Sequence, residues 1–121
     1  MSTIKVDTIK DTNNVEVYTA KAWVNFDGTQ AAADMIRASG NVSSIIDHGT
    51  GSYTVNFTNA LEDANYSAVA NASPNFTGTF NRIASCGDSA APTTTSIRLR
   101  TNRADTVTND DCEYITVAVF R

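Results

Sequence analysis

The sequence predicts an all-β domain whose antiparallel strands pack as a β-sandwich. Three observations carry that expectation. Apolar residues recur with a period of two through most of the chain, the pattern of half-buried strands with one wet face. Turn signals interrupt these runs about every 8–12 residues, a spacing typical of sandwiches. The composition is rich in Thr, whose branched Cβ suits a pleat, and in Asn and Ser, which suit turns. With 121 residues there is room for one domain. Hydrophobic residues at 41% are enough to build a core.

In chain order, residues 1–14 read as an arm. Ile4, Val6 and Ile9 are apolar among Thr, Lys and Asp, and Asp11-Thr12-Asn13-Asn14 then makes a polar break. So short an apolar stretch has no core of its own and must pack on its own domain or on a neighbour. Residues 15–121 read as the sandwich, of jelly-roll-like or Ig-like type. The first strand is expected at 15–26, closed by the turn signal Asp27-Gly28. Residues 30–37 alone have helical composition, enough for one or two turns. A strand at 41–47 leads into Asp47-His48-Gly49-Thr50-Gly51-Ser52, whose glycines supply the positive φ of a tight hairpin. In the next strand Tyr53, Val55 and Phe57 share one face and Thr54, Asn56 and Thr58 the other. Strands at 66–72 and 79–85 follow. Ile97 and Leu99 then oppose Ser96, Arg98 and Arg100. Residues 114–120 are apolar on both faces, which predicts a central strand. Residues 73–79, 87–95 and 101–111 are irregular and loop-rich.

Charge narrows the function. The net charge of −4, from 9 basic and 13 acidic residues, argues against nucleic acid, whose phosphates demand a basic face. No stretch is apolar and long enough to span a bilayer, so membrane insertion is not expected. The N-terminus lacks the apolar core of a secretory signal, so synthesis in a cytoplasm is expected. Cys86 and Cys112 lie outside any CxxC and away from the single histidine, so both read as free thiols and zinc lacks ligands.

Catalytic and metal signatures are weak. His48 sits alone in a glycine-flanked turn with no nucleophile motif near it; three copies on a threefold axis could hold a metal only by symmetry. Asp105, Asn109, Asp110, Asp111 and Glu113 form the densest acidic run, but the spacing matches no EF-hand loop and the central glycine is missing. The Asn-x-Ser/Thr triplets, such as Asn41-Val42-Ser43 and Asn75-Phe76-Thr77, follow from composition where no secretory signal is present. The expectation is a binding or structural protein, not an enzyme, with no cofactor and no bound metal.

One series goes beyond composition. Lys21-Ala22-Trp23-Val24-Asn25-Phe26-Asp27-Gly28-Thr29 is followed by Ile36-Arg37-Ala38-Ser39-Gly40-Asn41-Val42-Ser43-Ser44-Ile45. Then come Asp47-His48-Gly49-Thr50-Gly51-Ser52-Tyr53-Thr54-Val55-Asn56-Phe57-Thr58 and Asp63-Ala64-Asn65-Tyr66. This order resembles the C-terminal domain of tail fibre proteins of tailed bacteriophages, especially those of marine bacteria and cyanobacteria. The resemblance covers most of residues 21–72 and resumes at 96–101 and 117–121; residues 2–9 look like segments near the start of such fibres. It implies a virion protein that binds the host surface, usually as a homotrimer, with other virion proteins and a host surface glycan or outer-membrane protein as partners. The long shaft and attachment domain of a tail fibre have no counterpart here, so a short fibre, a fibre tip and a capsid decoration or head fibre protein are the expected forms. A carbohydrate-active enzyme is the more distant alternative.

Residues 73–95 and 101–113 match that family least. Loops at one end of a rigid sandwich are a common binding design. They offer Asn75, Phe76, Asn81, Arg82, Asp88, Asn102, Arg103 and Asp105 as candidate receptor contacts: an aromatic face for sugar C–H patches, and amides and charges for hydroxyls. Ile4, Val6 and Ile9 are the candidate assembly residues.

Overall fold

The computed structural model describes residues 2–74 and 81–121. Its strands are β1 (Ala22–Phe26), β2 (Ile36–Gly40), β3 (Val42–Gly49), β4 (Ser52–Phe57), β5 (Ser67–Ser73), β6 (Arg82–Cys86), β7 (Ser96–Arg103) and β8 (Tyr114–Phe120). They form two four-stranded sheets, β2-β1-β8-β5 and β3-β4-β7-β6. Every pairing is antiparallel. The expected β-sandwich is the architecture found.

The period of two explains the core. Val24 and Phe26 of β1, Tyr53 and Val55 of β4, Ile97 and Leu99 of β7, and Ile115, Val117 and Val119 of β8 all point between the sheets and are buried. The Phe26 and Tyr53 rings meet edge to face, with centroids 5.3 Å apart. Cys112 is buried and Cys86 exposed; both are free thiols.

β8 is central, as its apolarity predicts, with β1 on one side and β5 on the other. Its outer face is nonetheless uncovered by the described residues: Thr116 is exposed and Phe120 is 39% exposed. An apolar strand on both faces therefore does not lie between two layers here.

Three expectations differ. Residues 101–111 are not loop throughout, since β7 runs to Arg103 and buries Thr101 and Asn102. Residues 30–37 yield a single 3-10 turn, Ala32–Asp34, after which Ile36 begins the edge strand β2. Tertiary anchoring overrides the local helical preference: Met35 is fully buried and its carbonyl accepts from the Asp27 amide at 2.9 Å. The strand expected at 15–26 begins only at Ala22. Residues 9–17 instead make a small hairpin, with the Asp11 amide donating to Val15 O at 2.8 Å and the Val17 amide to Ile9 O at 2.7 Å. The polar break is the turn of this hairpin, with Asn14 at a φ of 65°.

The sheets are joined at a sharp corner. Asn41, at a φ of 54°, is the residue between β2 and β3. Its side-chain amide donates to Lys21 O at 3.0 Å and Asn59 O at 3.1 Å. At the opposite end, Gly51 sits at a φ of 66° against Thr101 O, with the Asp110 amide nitrogen 2.9 Å from where a Cβ would lie. Gly51→Ala is expected to cost about 2 kcal/mol, from left-handed strain plus contact with backbone. A lowered urea midpoint at unchanged slope will measure it.

Candidate functional site

The loop residues singled out by sequence divide into several groups. Asn75 and Phe76 lie outside the described residues. Asn81, Arg103 and Asp105 lie at one end of the second sheet. There the Ala104 amide donates to Asn81 O at 3.0 Å, and β6 pairs Arg82 with Arg103. The two loop regions therefore meet in space, a point sequence order leaves open. Asn81 and Asp105 are exposed, and Arg103 reaches the Asp105 carboxylate with Nη2 at 2.8 Å and Nε at 3.1 Å.

The others face inward to partners. Arg82 Nε lies 2.6 Å from Asp110 Oδ2. Asn102 is buried and donates to Asn109 Oδ1 at 2.7 Å. Asp88 is buried on the outer face of the second sheet. The Ser52 hydroxyl donates to it at 2.6 Å, Arg98 Nη2 lies 3.4 Å away, and Arg100 closes the same carboxylate from its other oxygen. Asn102 lies beside the end where Asn81, Arg103 and Asp105 sit, whereas Asp88 lies beyond the other end of β6.

The acidic run is divided in the same way. Asp110 serves Arg82, and Asp111 Oδ1 accepts from the Gly51 amide at 2.8 Å and from the Tyr53 hydroxyl at 2.6 Å. Among the described residues no group of three or more His, Cys, Asp or Glu is placed to hold a metal. His48 lies on β3, not in a free turn, with Nε2 2.7 Å from Thr54 Oγ1. No helix among the described residues is long and apolar enough to cross a membrane.

The sequence reading missed a groove on the outer face of the first sheet. It has a volume of about 390 Å³ and is lined by residues of β1, β5 and β8. Trp23, 43% exposed, and Val69, 58% exposed, stand on either side of Ala118. The signal was present: Ala22, Val24 and Phe26 must point inward, so the same alternation turns Trp23 and Asn25 outward.

Comparison with protein-family models, with curated proteins and with solved structures returned no match.

Proposed function

We propose that this protein is a virion component of a tailed bacteriophage, of tail fibre or fibre-tip type, that assembles as a homotrimer and binds the host cell surface. The observation that carries the reading is the meeting of the two loop regions at one end of a rigid sandwich, where the exposed Asn81 and Asp105 flank the half-buried Arg103 at the end of β7. Its partner there is a host surface glycan or outer-membrane protein. The arm supports assembly: Ile4, Val6 and Ile9 are 87%, 57% and 52% exposed on the single chain. Burying all three against a neighbour is worth about 5 kcal/mol.

The burial of Asp88 and Asn102 favours a second reading, a capsid decoration or head fibre protein with a purely structural role. Two measurements test these readings, and the adsorption measurement separates them. Light scattering should give a trimer for the full chain and a smaller species when residues 2–14 are deleted. Arg103→Ala and Asp105→Ala should each reduce adsorption to host cells, the Asp105 variant while leaving stability within about 0.5 kcal/mol, as an exposed position does. A stable monomer defeats the assembly half of the reading. Unchanged adsorption by both variants leaves the structural role.

A further inference from the structure

We propose that the groove at Trp23 is a binding site for a neutral saccharide, separate from the loop surface at the sandwich end. The argument begins with register. Trp23 pairs with Ala118, and Ala118 with Val69, so three strands place an apolar row straight across the outer face of the sheet. Two residues along, Asn25 pairs with Thr116 and Thr116 with Asn71, giving a parallel row of two amides and a hydroxyl. The rows are about 7 Å apart, two residues of strand rise. A pyranose has the same division, an apolar C–H face beside hydroxyl edges. Aromatic rings with a few placed polar groups suit such a ligand.

The aromatic wall is held for this purpose by its neighbour across the strand. Trp23 pairs with Gly40, and a Cβ at Gly40 would collide with the indole Nε1 and lie 2.8 Å from Cδ1. The absent Cβ lets the ring lean over β2, which leaves the space above Ala118 open. The polar row is available. Asn71 and Thr116 are exposed, and their side chains make no hydrogen bond to described residues. Asn25 is half-buried, and its Oδ1 accepts from Arg37 Nη1 at 3.2 Å.

Charge selects among occupants. No described residue lining the groove is ionisable, and Arg37, whose guanidinium meets Asn25 at the rim, is paired with Asp27, which favours a neutral sugar over a phosphate or uronate. The groove is open to solvent rather than enclosed.

The test uses the full chain and its single tryptophan as the reporter. The protein is titrated with maltotetraose, cellotetraose, mannotetraose and chitotetraose, with a sialylated oligosaccharide as the charged control. At least one neutral tetrasaccharide should shift the Trp23 emission, and the control should not. In calorimetry with that sugar, Trp23→Ala should weaken binding about thirtyfold or more, as loss of a central aromatic does. Asn71→Ala and Thr116→Ala should each weaken it about fivefold to tenfold, the loss of one hydrogen bond. Ser85→Ala, exposed on the other sheet and outside both surfaces, should bind the sugar like the parent, and host-cell adsorption measured on Arg103→Ala keeps the loop surface distinguishable from this site. No response to any neutral sugar overturns the proposal. So does binding that survives in the Asn71 and Thr116 variants. Should Trp23→Ala fail to fold, those two variants decide alone. Dissociation of the assembly by Trp23→Phe, with no sugar bound by the parent, marks the face as an interface between copies and equally overturns it.

Discussion

Replacing Asp88 with alanine is expected to lower the unfolding free energy by about 3 kcal/mol, at the low end of the cost of breaking a buried ion pair. The carboxylate is 2% exposed and is shared by Arg98 and Arg100. It also accepts from Ser52 and from Ser89. Without it, two cations remain on one sheet face, and the Nε atoms of both are already buried with no hydrogen-bond partner among the described residues. The cost stays at the low end because Arg98 and Arg100 are 24% and 43% exposed and can recover some hydration. Urea denaturation of the variant and of Asp88→Asn, which keeps the shape and loses the charge, measures it. Equal stability of parent and both variants would sink the idea.

The same carboxylate sets an acid limit. The Ser52 hydroxyl lowers its pKa most; burial opposes this, and Ser89, Arg100 and Arg98 add to the lowering. A carboxyl with a folded-state pKa below its unfolded value of about 3.9 stabilises the fold in full above that value. That stability is lost as pH falls through the folded-state pKa. Asp63, held at about 2 chiefly by Arg121 and the Asn65 amide, acts in the same direction. The melting temperature should therefore be flat from neutrality to about pH 5 and fall below about pH 4, less steeply in Asp88→Asn.

Much of the sandwich was legible because a single period of two carries both strand identity and burial. Tyr53, Val55 and Phe57 alternate onto one face and lie in the core, as do Ile97 and Leu99. The edge strand β2 was not legible. Ile36-Arg37-Ala38-Ser39-Gly40 has no alternating apolar face, and its extended form depends on pairing with β1. The loop candidates show another limit. Arg82, Asp88 and Asn102 look in sequence like any exposed polar residues; only the strands that approach them make them structural. Trp23 shows the reverse. Alternation places it outward, but the groove depends on Ala118 and Val69, which arrive from distant strands.

Tyr53→Ala is expected to cost about 4–5 kcal/mol, the largest effect of any single change considered. Tyr53 is fully buried and edge-on to Phe26, so truncation opens a cavity between the two sheets. Its hydroxyl does separate work. It donates to Asp111 Oδ1 at 2.6 Å and lies 3.2 Å from Gly28 O, and Asp111 Oδ1 also accepts the Gly51 amide. One phenol thus ties the loop after β1, the β3–β4 hairpin and the segment leading into β8. Burial first, and the hydrogen bond to Asp111 second, push the phenol's pKa well up, so the group stays protonated and donating at any ordinary pH. Tyr53→Phe keeps the ring and removes only the hydroxyl, and is expected to cost about 1–2 kcal/mol. The difference between the two variants is the packing contribution, and the Phe variant alone is the contribution of the tie. Guanidinium denaturation followed by the Trp23 emission gives both numbers on one protein. If Tyr53→Phe costs as much as Tyr53→Ala, the ring's packing contributes nothing and the core has been wrongly centred on it.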